Sequence, residues 1–116
     1  MRIFTLLISC LVFNINYAQN DLGSFKFNKD IGDPDKKGIA NYDIEDQVYT
    51  LNGAGYNIWF ARDEFNYLYN EIKGDFIITA NFKFQGEGVD PHRKTGLMLR
   101  ASDSEDAAHV SAALHG

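Results

Sequence analysis

The chain has almost nothing with which to crosslink itself: one cysteine in 116 residues, at Cys10, and three histidines. A disulfide framework is thereby excluded, and so is a zinc site of the paired-cysteine kind. Proline is scarce too, at two residues, Pro34 and Pro91, so few segments are barred from a β-ladder. No apolar run reaches the roughly 20 residues that cross a bilayer as a helix. Basic side chains are outnumbered, 11 against 16 acidic, for a net charge of −5. With no Lys/Arg cluster, that balance argues against nucleic acid or an anionic membrane as partner. No helical period of useful length appears, which leaves strands.

What is present is a run of glycine turns and short aromatic strands from Tyr49 to Phe84. Its clearest part alternates Phe76, Ile78, Ala80, Phe82 and Phe84 with Thr79, Asn81 and Lys83, Ile77 being the exception. Side chains alternate across a strand, so this pattern predicts a central strand with one face buried and one wet. Burial of such side chains is worth about 1.5–3 kcal/mol each. Upstream, Ser24–Asn28 predicts a short strand. Ile39–Tyr42 and Val48–Asn52 flank the Asp-rich turn Asp43-Ile44-Glu45-Asp46 as a hairpin. Ile58–Phe60 and Phe65–Asn70 read as further short strands. Thr95–Ala101 is apolar on both faces, and Ala107–His115 should turn Val110, Ala112 and Leu114 inward. Short strands at regular spacing with turn residues between them point to an all-β sandwich.

The first 18 residues read as a secretory signal peptide. Arg2 forms the basic end, Ile3 to Phe13 the apolar stretch, and Asn16-Tyr17-Ala18 a cleavage site before Gln19. Leu7-Ile8-Ser9-Cys10 also fits a lipoprotein cleavage box, which would anchor the protein through Cys10. Cleavage after Ala18 leaves a mature chain of residues 19–116, without cysteine and without a transmembrane segment. Its location is then periplasmic or extracellular.

The order Tyr49-Thr50-Leu51, Gly53, Gly55, Asn57-Ile58-Trp59, Asp63, Phe65, Tyr69, Gly74-Asp75-Phe76 and Thr79-Ala80 resembles a concanavalin A-like β-sandwich module. Gly96-Leu97-Met98-Leu99-Arg100 and Ala108-His109-Val110 are similar to the next two strands of that module. The nearest resemblance is to the N-terminal module of secreted TolB-like proteins, the biopolymer-transport components in which a β-propeller follows. It implies an antiparallel jelly roll of which this chain forms an incomplete N-terminal portion. It also implies a non-catalytic binding or interaction role in the cell envelope, with polysaccharide, peptidoglycan or an envelope protein as partner. A carbohydrate-binding accessory module or a sandwich-type glycoside hydrolase is the alternative.

Six residues are candidates for ligand binding: Trp59, Asp63, Tyr67, Arg100, His109 and His115. Trp59, with Tyr67 and Tyr69, offers aromatic planes suited to the apolar face of a pyranose, although flanking Ile58 and Phe60 favour a buried Trp. His109 and His115 share strand parity with Ser111, and Arg100 joins them from the preceding strand, so that this side either lines a polar groove or is a second face covered by further chain. As ligands of one metal the two histidines are too far apart, since six residues of strand span roughly 20 Å. Asp43, Glu45 and Asp46 come nearest to the alternating acids of sandwich glycosidases, but Gln47 stands at the third position and the stretch belongs to a turn. Asp63 and Glu64 are adjacent, so their side chains diverge on an extended chain. Pro91-His92-Arg93-Lys94 reads as a solvated loop. The sequence shows no Ser-His-Asp order, phosphate-binding glycine loop or metal-spaced cluster, so no catalytic residue, metal or cofactor is expected.

Overall fold

Among the described residues of the computed structural model every regular element is a β-strand, each paired antiparallel with one neighbour. The structure describes residues 21–88 and 90–116. The expected leader, Met1 to Ala18 with Cys10, lies outside them. Among the described residues no helix is long and apolar enough to cross a membrane.

Strand β1 (Phe27–Ile31) pairs with β6 (Phe65–Tyr69) in the register Phe27↔Tyr69 to Ile31↔Phe65. Period-2 alternation puts Phe27, Lys29 and Ile31 on one face with Phe65, Tyr67 and Tyr69, and Asn28 and Asp30 on the other with Asn66 and Leu68. The first face carries an aromatic ladder. Phe27 stacks on Tyr69 at 5.1 Å between ring centroids, Tyr69 on Tyr67 at 4.8 Å, and Phe65 meets Tyr67 edge-on at 5.6 Å. Such pairs add about 0.5–1.5 kcal/mol beyond the area they bury. Ile31, at the end of the ladder, is the largest fully buried side chain among the described residues. The opposite face is polar: both Asp30 carboxylate oxygens accept the Gly38 N–H at 3.0 Å, and Asn66 donates to the same group at 3.0 Å.

Strands β2 (Ile39–Asp43) and β3 (Val48–Asn52) form the expected hairpin. Its turn is held by Asp43, whose Oδ1 accepts the N–H groups of Glu45 at 2.9 Å and Asp46 at 3.1 Å. Tyr42 and Tyr49 face each other across the ladder and stack at 4.5 Å. Strands β4 (Ile58–Trp59) and β5 (Arg62–Asp63) form a tight hairpin, and β7 (Lys94–Arg100) pairs with β8 (His109–His115) along its whole length. Gly55 lies where the chain must pass close to β6. A Cβ there would collide with the Glu64 carbonyl oxygen, so no side chain fits.

Three expectations are corrected. The first strand lies at Phe27–Ile31, not Ser24–Asn28, because pairing with β6 sets its limits and Phe25 N–H instead turns back to Leu22 O at 3.0 Å. Residues 75–85 form no strand ladder, and Phe76, Ile78 and Phe82 are exposed rather than core, because no described strand pairs with them. Val110 and Leu114 face water, whereas the opposite face of the same hairpin carries Met98 and Arg100 onto the aromatic sheet. Parity was read correctly there and its sense was inverted. Among the described residues the structure is all-β, with antiparallel pairs in small sheets.

Burial predicts where stability resides. Ile31→Ala should cost about 2–5 kcal/mol by cavity formation, whereas Phe82→Ala should cost about 1 kcal/mol or less. Urea denaturation of the two variants measures both, and a reversed order would show that residues 75–85 are core.

Candidate functional site

The β4–β5 hairpin aims consecutive residues in opposite directions. Ile58 lies opposite Asp63 and Trp59 opposite Arg62, so Asp63 faces one side while Trp59 and Arg62 share the other. On the Asp63 side, the last residue of β7 arrives. Arg100 Nη1 donates to Asp63 Oδ2 at 2.6 Å, with the two side chains 1% and 4% exposed. The other guanidinium nitrogens are also engaged: Nη2 donates to Ser104 O at 2.6 Å and Nε to Ser102 O at 3.3 Å. The Phe65 ring lies beneath, its centroid 5.2 Å from the guanidinium carbon. Asp63 N–H donates to Glu105 O at 2.9 Å, so the loop from β7 to β8 closes over the pair.

His109 is the strand partner of Arg100, and its Nδ1 lies 3.6 Å from Asp63 Oδ2 and 3.3 Å from Ala107 O. Tyr67 donates its hydroxyl to Met98 O at 2.9 Å. Burial pushes the Tyr67 phenol above its ordinary pKa, opposed in part by the Arg100 charge. Four of the six candidates, Asp63, Tyr67, Arg100 and His109, therefore meet at one junction. His115 does not: it sits at the far end of β8 opposite Lys94, its ring 5.5 Å from that of His92.

Trp59 is also separate, and it is not buried. It is 59% exposed and meets Phe60 edge-to-face at 5.3 Å, while Phe60 is 93% exposed. Phe60 has φ of 57°, at the first position of a two-residue hairpin turn that glycine usually fills. For a bulky side chain that backbone costs about 1–3 kcal/mol. Tyr56 is exposed as well. A shallow depression lined by Leu22, Phe27, Asn28, Gly38 and Ile39 among others holds none of the candidate residues.

Sequence reasoning noted Glu64 only as diverging from Asp63 and passed over its partner Arg62. Glu64 points away from Asp63, as adjacency on an extended strand requires, and is nearly buried. It accepts from the Arg62 guanidinium and, at 2.9 Å, from Tyr56 N–H. The Arg62 hydrogen bond, then the Tyr56 amide, holds its carboxyl below the ordinary value. An Arg two residues before a Glu was the available signal. Asp103 is likewise lowered by its hydrogen bond with Lys29 at 2.5 Å, which raises the Lys29 pKa. Among the described residues no group of three His, Cys, Asp or Glu side chains is placed to hold a metal ion.

Comparison with protein-family models, curated proteins and solved structures finds no match to this chain.

Two outcomes follow from this geometry. Arg100→Met should lose about 3–5 kcal/mol of stability, because Asp63 is left charged and buried. Adding Asp63→Asn should recover much of it in the same denaturation assay. Glu64 and Asp103 have folded pKa values below their unfolded ones, so each contributes fully above its unfolded value, about 4.5 for Glu64 and 3.8 for Asp103, and that contribution disappears as pH falls through the folded value. The melting temperature should drop on acidification below about pH 4.5, and Glu64→Gln should flatten that dependence.

Proposed function

We propose that this chain is a non-catalytic binding module of an exported envelope protein, with its strands belonging to a concanavalin A-like β-sandwich. The observation that carries this reading is the Tyr56, Trp59 and Phe60 corner, where large aromatic side chains stand in water on a turn that is costly to maintain. An apolar surface kept exposed at such a cost is suited to a partner. The apolar face of a sugar ring stacks on such planes, and a largely neutral glycan meets no repulsion from an acidic chain. Polysaccharide, including peptidoglycan, is therefore the ligand class, and the resemblance to TolB-like modules supports an envelope setting.

The placement of the acids supports binding rather than hydrolysis. Glycoside cleavage uses two carboxylates flanking one bond, about 5–5.5 Å or 6.5–9.5 Å apart. Here Asp63 is engaged by Arg100, Glu64 by Arg62 and Tyr56, and Asp43 by its own turn.

Binding to a panel of insoluble polysaccharides and peptidoglycan tests the reading. Trp59→Ala with Phe60→Ala should weaken retention about tenfold or more without loss of fold. Retention unchanged in that variant, or release of reducing sugar that Glu45→Gln abolishes, would overturn it.

A further inference from the structure

Residues 75–85 carry a strong strand pattern, yet no backbone hydrogen bond from the segment to another strand is found among the described residues. Exposure still alternates: Phe76 is 42%, Ile77 95% and Ile78 42% exposed, with Phe82 at 36%. At the end of the segment, Arg93 covers the Phe84 ring at 4.6 Å. Among the described residues neither backbone edge of the segment has a strand partner. An unpaired, β-prone segment without proline is a template for another strand.

The segment is complementary to itself. In an antiparallel pair, directly opposite residues project to the same face. Turning the segment about Thr79 sets Phe76 opposite Phe82 and Ile78 opposite Ala80 on the apolar face. On the polar face, Asp75 meets Lys83, Ile77 meets Asn81, and Thr79 meets its own copy. Both ends then carry an Asp–Lys pair. Centring the pair on Ala80 instead sets Lys83 against Ile77, and centring it on Ile78 sets Lys83 against Lys73. Registers centred between residues place apolar side chains against polar ones. Within residues 75–83, the Thr79-centred register is the one that pairs every residue and sets opposite charges at both ends.

We propose that two copies of this chain associate through antiparallel pairing of residues 75–83, with Thr79 on the two-fold axis. The interface is isologous, as closed dimers require. Main-chain hydrogen bonds supply the attraction, and the Asp75–Lys83 pairs set the register. The association stands apart from glycan binding at Trp59, and each can fail without the other.

Full-length protein carrying Cys10→Ser, so that any introduced thiol is the only one, tests this directly. Thr79→Cys should oxidise to a covalent dimer, because paired Cα atoms lie about 4.5–5.5 Å apart and disulfides span about 4.4–6.8 Å. Ile77→Cys should not, since its copies are offset by about 13 Å along the strands. In sedimentation, Lys83→Asp should weaken the dimer about tenfold by opposing like charges at both ends. Asp75→Lys combined with Lys83→Asp should restore it. A monomer up to about 100 µM, equal crosslinking at positions 77 and 79, or no recovery in the charge-swapped variant would each overturn the proposal.

Discussion

The Arg100–Asp63 pair is the constraint on which the rest of the structure depends. Both side chains are almost sealed from water, and removing two charges from water costs several kcal/mol per ion unless geometry and hydrogen bonds offset it. The offset is visible in the partners: Arg100 also reaches two loop carbonyls and lies over Phe65, while the Asp63 amide holds Glu105. Three otherwise separate antiparallel pairs meet at this point. The β7–β8 hairpin, the β4–β5 corner and the aromatic ladder of β1 and β6 are joined by an ionic contact because apolar burial among the described residues is sparse. Tyr67 adds a second tie, from the ladder to the Met98 carbonyl.

That junction also decides which side chains are left to meet a ligand. The sequence makes Asp63 a candidate for ligand binding, but its carboxylate is already engaged and closed from solvent. The same hairpin that turns Asp63 inward must turn Trp59 outward, since alternate residues of a strand point to opposite sides. Structure and binding surface are thus two faces of one tight turn. The strained backbone of Phe60 is what places the aromatic corner there.

Much of the strand order was legible in the sequence where the signal was local. The β2–β3 hairpin follows from Asp43 and the flanking alternation, and β6 from its aromatic spacing. Period-2 patterns report which residues share a face, but they do not report which face is inward. Hence His109, Ser111 and Arg100 were grouped correctly while Val110 and Leu114 were sent to the wrong side. The pattern at Phe76–Phe84 shows a segment suited to a ladder and cannot name its partner. The bend between Trp59 and Asp63 is legible in the sequence, whereas its two-residue hairpin form is not, because Phe60 stands where glycine would announce it. The contact between residues 63 and 100 joins distant parts of the chain, and only the pairing of β7 with β8 and the closing loop brings them together.

The central claim is that Arg100 is a fixed structural cation, and the exchange of its guanidinium protons tests that most directly. By NMR, the Arg100 Nη protons should appear as separate, slowly exchanging resonances with cross-peaks to the Phe65 ring. A single averaged signal exchanging at the rate of a solvated arginine would show that the pair with Asp63 does not hold these strands together.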